Sequence, residues 1–552
     1  MAREPTKIQS QSSTLRILSN QISNNSSHSS SSAASKEMHQ KLPDGRWTAL
    51  LLAIVAALSY ATAGTMLGWS NGALRRFDAH QQLLLLTDNW RFSLAATPAL
   101  VVVVTAFAVH RCYYWVGTKT FLLTGALLAV GSAILEALGR TFWWLSAARI
   151  LAGIATGITF TLVPSYVDEF CIAKKPLMGD LLAAAFPVGI LLRFAADWLV
   201  PVVAIPWVTL CWAVVPGCGA VCLLLLPESA RFLCATGRVS QAAAVLQRTN
   251  SLEPDEVQWD ASVQAALSRW QLPAPGLLEA VRHQGNLIQL VPLLALFAFQ
   301  AFVGALPMLF HLTNLLELAG YERAPARAAT LLAAVFVAGT LLGRKLLRCP
   351  HLHRSLLMAA SLVTAGAMFA LGWHCHERRT RAVDLIPEPG DWPLLALGLV
   401  FAAYAAGFHR QPWALLELEA RDENLFALRT LAVAICWGSV YLAVRLLPVL
   451  LRTIGVGWLF WNTGLVALFA ALLVLVGVPR SDDFAHKTLP TTAGLFSASI
   501  TSSSSSSSSS PGTPTPAASA NCWPRSTATS PSSTVNIPDD SGVNLPLPVA
   551  MV

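Results

Sequence analysis

Long apolar runs alternate with short polar breaks along most of the chain. Twelve apolar segments stand near residues 50–71, 92–110, 120–139, 143–166, 180–200, 205–226, 286–311, 328–347, 355–373, 393–411, 430–451 and 457–478. Most reach the roughly 20 residues that carry a helix across about 30 Å of hydrocarbon. A bilayer offers the backbone no water to bond, so helix is predicted through each run. The runs form two groups of six, separated by a polar stretch from Pro227 to about Gln284 that is rich in Arg, Glu and Asp. The pattern predicts an all-α polytopic membrane protein: six helices over 47–226, a cytoplasmic central loop over 227–284 and six helices over 285–480.

The ends are of another kind. Residues 1–46 are polar and Ser-rich, and residues 481–552 carry nine consecutive serines from Ser502 to Ser510. Neither has the apolar content to offset the entropy of ordering, which predicts disordered tails. The first 45 residues hold no apolar segment, so no cleavable leader is expected and the first span acts as the insertion signal. Short-loop cations set orientation. Arg111, Lys119, Lys174, Lys175, Arg344, Lys345, Arg348 and Arg354, with the central loop, fall on the side of the N-terminus, against Arg75, Arg76, Arg140, Arg323, Arg378, Arg379 and Arg381 on the other. The bias is modest; with an even span number it places both tails in the cytoplasm of a multi-pass plasma-membrane protein.

Only 12% of residues are charged and 54% are hydrophobic, about half the charge density of soluble domains. The net charge of +8 is a mild excess and no nucleic-acid footprint, so the expected partners are the lipid bilayer and a small solute. Ten cysteines are spread without a CxxC pair, which argues against a disulfide framework. His351-Leu352-His353 and His374-Cys375-His376-Glu377 present too few ligands for a metal site and read as polar loop caps. No catalytic Ser/His or metal constellation falls within the spans, so an enzyme, a metal and a cofactor are not expected.

The fourth run reads Arg149-x3-Gly153-x3-Gly157-x6-Pro164-x-Tyr166-x2-Glu169. Gly153 and Gly157 lie one turn apart and permit close helix contact, and Arg149 and Glu169 are charges at membrane depth or its edge that need partners. The sixth run ends in Pro227-Glu228-Ser229-Ala230-Arg231-Phe232-Leu233. These stretches resemble the R-x3-G-x3-G…P-x-Y-x2-E and PESPRWL signatures of the sugar porters, a family of the major facilitator superfamily. Gly64-Thr65-Met66-Leu67-Gly68-Trp69-Ser70 is similar to a stretch of arthropod facilitated trehalose transporters. Gln300-Ala301-Phe302-Val303-Gly304 resembles QQ-x-SG, and Gly407-Phe408 with Pro412-Trp413 resembles GFGPIPW. The likeness covers roughly residues 47–480 and is patchier in the C-terminal half.

The resemblance implies two six-helix bundles that rock about a central site, with Gln300, Trp413 and Trp437 facing the solute. Amides suit sugar hydroxyls and aromatic faces suit the apolar ring face. It further implies that Arg149, Glu169, Glu228 and Arg231 hold the cytoplasmic gate of the N-terminal half. Other family positions are altered. With Trp413 and Trp437 as fixed ends, the gating Glu falls on Leu418 and the gating Arg on Leu425. Glu417, Glu419, Arg421 and Arg429 are near but out of phase, since one residue turns a side chain about 100° around a helix; they complete an ion pair only where the helix is irregular. Thr118 and His353 stand where permanent guanidinium groups are expected. Substrate-facing polar positions fall on Ala183, Leu306 and Val337, with His311 in place of a Tyr and as a candidate replacement donor. About four hydrogen-bonding groups are lost, at about 1–3 kcal/mol apiece.

The leading expectation is therefore a transmembrane transporter of a hexose, trehalose or polyol working by alternating access. Proton-linked relatives place an acid in the first span near the Arg of the fourth; residues 47–71 contain none, which favours facilitated diffusion. Glu136 with Arg140, and Arg193 with Asp197, read as local i,i+4 pairs. The alternative is a non-transporting receptor, sensor or interaction protein acting through its tails.

Overall fold

The computed structural model describes residues 45–79, 88–170, 175–201, 205–250, 267, 270, 276–284, 287–346, 352–380 and 390–478. Apart from Gly45 and Arg46, which open the first helix, the expected tails lie outside the described residues. Among the described residues, twelve helical spans are long and apolar enough to cross a membrane. They are Trp47–Gly72, Trp90–Tyr113, Thr118–Leu138, Phe142–Phe170, Leu177–Leu199, Pro206–Leu225, Leu290–Leu318, Pro325–Leu346, Leu352–Thr380, Trp392–Glu419, Leu425–Thr453 and Gly455–Gly477, hereafter spans 1 to 12. The face on which span 1 begins is termed near and the opposite face far.

Every predicted apolar run has its helix, and several run on past the apolar stretch. Span 9 continues to Thr380, so the tract His374–Glu377 is helical and not a loop. His374 stacks on Trp392 of span 10 at 6.0 Å and His376 lies against Trp461 of span 12 at 5.4 Å. Amphipathic rings of this kind settle where hydrocarbon gives way to water, and here they carry the helix beyond it. His353, expected in a loop, is likewise in the first turn of span 9; His351 lies outside the described residues.

Spans 1 to 6 pack among themselves through the pairs 1–5, 2–4, 3–4 and 3–6, and spans 7 to 12 through 9–12, 8–10, 9–10 and 7–11. Span 2 against 11, span 5 against 8, and span 1 against the middle of span 7 join the two bundles. Small residues make the close crossings possible, because lipid supplies no hydrophobic drive and backbones must approach for dispersion to act. A Cβ on Gly153 would stand 2.6 Å from Val101, and one on Gly157 2.7 Å from Thr105, so span 4 lies directly on span 2 as the spacing predicts.

Spans 7 and 10 are broken. In span 7 the helix Leu287–Phe302 stops at Gly304, whose φ of 102° suits only glycine readily, and resumes as Ala305–Met308, a 3-10 turn Leu309–His311 and Leu312–Leu318. In span 10 the helix Trp392–Ala406 yields to a turn at residues 407–410 before Gln411–Glu419, with Pro412 in its tolerated first-turn position. A break frees carbonyls that lipid cannot satisfy. Gln300 of span 7 meets that need: its Nε2 donates to the carbonyls of Phe408 at 2.7 Å and His409 at 3.2 Å.

Arg149 is fully buried and ties four spans together. Its Nη1 donates to the Met66 carbonyl of span 1 at 2.9 Å and to Glu136 of span 3 at 3.1 Å, its Nε to the Leu94 carbonyl of span 2 at 3.4 Å, and its plane lies 4.7 Å from the Trp69 ring. Glu136 thus pairs with Arg149 across the bundle and not with the exposed Arg140 one turn on. Burial decides this: Glu136 is 4% exposed and needs a partner inside the protein. Arg193 and Asp197 do form the expected i,i+4 pair at 3.2 Å, with Thr209 accepting a second bond at 3.1 Å. Arg149→Ala should cost about 3–5 kcal/mol by stranding Glu136, whereas Arg149→Ala with Glu136→Gln should recover part of the loss. Thermal unfolding of the detergent-purified variants measures this; a double variant as unstable as the single would refute the pairing.

Candidate solute site and gates

The near face is held by a chain of ion pairs that crosses from one bundle to the other. Arg429 of span 11 donates Nη1 to Asp168 of span 4 at 2.6 Å and Nη2 to Glu417 of span 10 at 3.1 Å. Arg344 of span 8 meets Asp180 of span 5 at 3.0 Å. Arg410 of span 10 stands between the two pairs, 3.7 Å from Glu417 and 3.9 Å from Asp180. Two of the out-of-phase residues therefore do make an ion pair, Glu417 with Arg429. The reason is the turn after Glu419: residues 420–424 leave the helix before span 11 starts at Leu425, so phase counted through a continuous helix does not apply. Gln284 fixes that turn by donating to the Glu419 carbonyl at 2.6 Å and accepting from Asn424 at 3.2 Å. Leu418, at the expected Glu position, is 47% exposed on the bundle exterior. On the near-face side of Arg429, Phe426 of span 11 packs on His110 and Tyr113 of span 2, with ring centres 5.3 and 5.0 Å away.

A second cluster latches the start of the central segment to span 4. Tyr166 donates its hydroxyl to the Pro227 carbonyl at 2.5 Å. Glu169 accepts from the Ser229 hydroxyl at 2.5 Å and the Arg231 backbone N–H at 3.3 Å. Glu228 accepts from the backbone N–H groups of Lys119 and Ser229, each at 3.0 Å. Lys119 supplies the cation that Thr118 lacks: its Nζ donates to the terminal carbonyls of span 6, Leu224 at 3.1 Å and Leu226 at 2.6 Å. The Arg231 guanidinium lies 5.7 Å from the Trp270 ring. Cys234 is buried in the same cluster, and burial pushes its thiol up to about 12, far from a reactive thiolate. Glu169, Glu228 and Arg231 are thus brought together. Arg149 is not among them: it lies 20 residues before Glu169 on one helix, near the far face, about 30 Å away at 1.5 Å per residue.

Between the bundles lies a cavity with about 70 Å³ of space open to the centre of a water molecule. Tyr60, Phe160, Phe186 and Trp413 line its walls, and Asp168, Arg410, Glu417 and Arg429 its near-face end. Phe160 is the hub of an aromatic cluster drawn from both bundles, 4.9 Å from Tyr60, 5.6 Å from Phe186 and 5.3 Å from Trp437. Toward the far face two contacts close the path. Asn71 of span 1 accepts from the backbone N–H and hydroxyl of Thr313 in span 7 at 3.0 and 2.9 Å. The His311 ring lies 4.4 Å from that of Phe92.

Of the four residues expected at the solute, Trp413 lines this cavity and packs edge-on against Phe297 at 4.7 Å. Trp437 is buried behind Phe160. Gln300 does not line the cavity, because its amide is committed to the broken backbone of span 10 and accepts from the Cys436 thiol at 3.4 Å. His311 is 1% exposed and neither ring nitrogen has a hydrogen-bond partner, so it is buried in the far closure and not solvated. His353, at an expected Arg position, contacts the Gln411 Oε1 through its Nδ1 at 2.6 Å. Sequence reasoning passed over His409 and Arg410. Their signal was available: three consecutive polar residues, His409, Arg410 and Gln411, between Gly407-Phe408 and Pro412-Trp413 in the middle of an apolar run.

Arg429→Gln should leave Asp168 and Glu417 without their shared cation and weaken the near closure by about 3 kcal/mol. The expected result is a near face that labels readily with a membrane-impermeant thiol reagent at a cysteine placed in the turn of residues 420–424, on a cysteine-free background. Leu418→Ala, on the exterior, should leave labelling as in the parent. Equal labelling of the Arg429→Gln variant and the parent would refute the gate.

The sequence and the fold have counterparts among known proteins. The family model described as "Sugar (and other) transporter" matches residues 14–490. The mouse solute carrier family 2, facilitated glucose transporter member 8, is 26% identical over 484 residues, covering 80% of this chain and 93% of its own. The galactose-proton symporter of Escherichia coli K12 is 25% identical over 77% of this chain and 90% of its own. Facilitated trehalose transporter Tret1 of Drosophila willistoni is 22% identical over 79% of this chain and 50% of its own. The major facilitator proton:xylose symporter XylE bound to 6-bromo-6-deoxy-D-glucose superposes with a TM-score of 0.65 at 19% identity, covering 79% of this chain and 97% of that one. With the family model matched over residues 14–490, and with twelve spans in two bundles, the chain belongs to the sugar (and other) transporter family.

Proposed function

We propose that this chain carries a monosaccharide-sized sugar or polyol across a membrane by alternating access. The observation that carries the reading is a central cavity lined by aromatic rings of both bundles and closed at each end by contacts between the bundles: Arg429 with Asp168 at the near face, Asn71 with Thr313 at the far face. Rocking the bundles breaks one set while the other holds, so the cavity opens to one side at a time. Trp413 offers its ring to the apolar face of the sugar, and Gln300 positions the broken span 10 that presents it. Glu169, Glu228 and Arg231 hold the central segment to span 4, so the N-terminal bundle moves as a body. In this reading the near face is cytoplasmic, both tails lie on that side, and the protein sits in the plasma membrane. The ion-pair chain favours a transporter over a silent relative, since a receptor acting through its tails has no need of a paired gate.

Facilitated diffusion is the favoured mode. Span 1 has no acidic residue, and the cavity carboxylates Asp168 and Glu417 are both held by Arg429, which leaves the cavity lining, among the described residues, no carboxylate without a cation to take up and release a proton. The purified full chain in liposomes should equilibrate a radiolabelled sugar from a panel of glucose, trehalose, galactose and inositol, to an inside-to-outside ratio near one. An imposed pH gradient should not raise that ratio. Accumulation driven by the gradient would overturn the facilitated mode, and flux no faster than empty liposomes for the whole panel and for charged sugars would overturn transport.

A further inference from the structure

One group at the cavity is held less well than its neighbours. Of the three guanidinium groups in the near-face chain, Arg429 is forked at 2.6 and 3.1 Å and Arg344 meets Asp180 at 3.0 Å. Arg410 has its carboxylates only at 3.7 and 3.9 Å, beyond hydrogen-bond reach; the Nε groups of Arg344 and Arg410 are both buried without a hydrogen bond, but Arg344 keeps its carboxylate at 3.0 Å and Arg410 has none so close. A guanidinium carries five N–H donors in a rigid fork, and this one lines the cavity. Gly179 of span 5 makes its space, since a Cβ there would run into the Arg410 Nη2. Nothing about helix stability asks for glycine at that point; alanine would be the better former by about 1 kcal/mol.

For solute hydroxyls the rest of the wall has the Tyr60 phenol and the Trp413 indole N–H, both neutral. Ala183 lines the cavity without a polar side chain, and its carbonyl already faces the His409 Nε2 at 2.8 Å. Tyr60, Phe160, Phe186 and Trp413 suit a ring, and the strongest unspent polar handle beside them is Arg410. A charge-assisted bidentate bond to a carboxylate is about twice as strong as a neutral one. One loosely held cation matches one negative charge; a phosphate dianion would bring a second charge with no partner.

We propose, resting on the transport reading above, that the preferred solute is a sugar acid, a pyranose or polyol bearing one carboxylate, and that Arg410 binds that carboxylate. Glu417 gives way at small cost because it keeps Arg429. Drawing Arg410 onto the solute also slackens its tie to Asp180 in the opposite bundle, so a bound solute loosens one link of the near closure.

The test uses the purified full chain in liposomes, with radiolabelled glucose, glucuronate and glucosamine, and Arg410→Gln and Arg410→Lys beside the parent. The expected parent ranks glucuronate above glucose and glucosamine by at least tenfold in kcat/KM, and unlabelled glucuronate suppresses glucose flux. In R410Q the glucuronate-to-glucose ratio falls at least tenfold, and in R410K by less; a purely structural role in the gate would lower both solutes together and leave the ratio unmoved. If R410Q is not recovered folded, the parent ranking and R410K decide. A parent that carries glucose while glucuronate neither enters nor competes overturns the proposal but leaves the transport reading standing, as does a preference for glucosamine, which would assign recognition to the carboxylates. A ratio unchanged in R410Q removes Arg410 from the role. Flux of none of the three overturns the transport reading itself.

Discussion

A charge that cannot reach water must find its opposite, and in this chain the residue that carries that demand from one bundle to the other is Arg429. It is 6% exposed and shares its two nitrogens between Asp168 of one bundle and Glu417 of the other. Parting such a pair without solvating both sides strands a charge at a cost of several kcal/mol. In the proposed transport cycle the near face then has two states, paired and dry or parted and wet, with little between them. Everything around the fork serves its geometry: Gln284 pins the turn that brings Glu417 to face Arg429, and Phe426 packs on His110 and Tyr113 to keep the pair dry.

The same demand, applied to the backbone, explains the broken spans. A turn inside a bilayer costs unbonded carbonyls unless protein supplies donors. Gln300 donates to Phe408 and His409 across the C-terminal bundle, so the break in span 10 depends on the residue just before the break in span 7. The breaks are not independent defects. They are two ends of one device that lifts His409 and Arg410 out of helical register and sets them against Ala183 and Gly179 of the other bundle. Local disorder of the helix is thereby converted into contact between bundles at the point where a solute would sit.

What could be read from the sequence follows from how local each cause is. The twelve spans were legible because hydrocarbon imposes a length and a backbone state on any apolar run. Gly153 and Gly157 were legible because small residues one turn apart mean a close crossing wherever they occur. The ion pair of Glu417 and Arg429 was not, because Leu418 and Leu425 were placed by counting through a helix that stops at Glu419. Nor was the partner of Arg149: Arg140 lies one turn from Glu136 in the chain, but Arg149 reaches it through a bundle whose interior excludes water. Gln300 was a mixed case, chosen for a side chain that donates and accepts, with the receiving backbone invisible in one dimension.

The two closures differ in kind, and the difference bears on how the molecule cycles. The far closure rests on two neutral bonds from Thr313 to Asn71 and on a buried, unbonded His311 beside Phe92. Each neutral bond is worth about 1 kcal/mol net, since water replaces it on opening, and opening also gives both His311 nitrogens the partners they lack. The near closure exchanges buried ion pairs for hydration, which is a larger trade in both directions and one that ionic strength modulates at the more exposed Arg344–Asp180 link. A cavity sealed by a light latch on one side and a charged one on the other is opened more cheaply at the far face. On the proposed sugar-acid reading, the charged side is then released by the carboxylate that competes for Arg410, its loosest cation by distance.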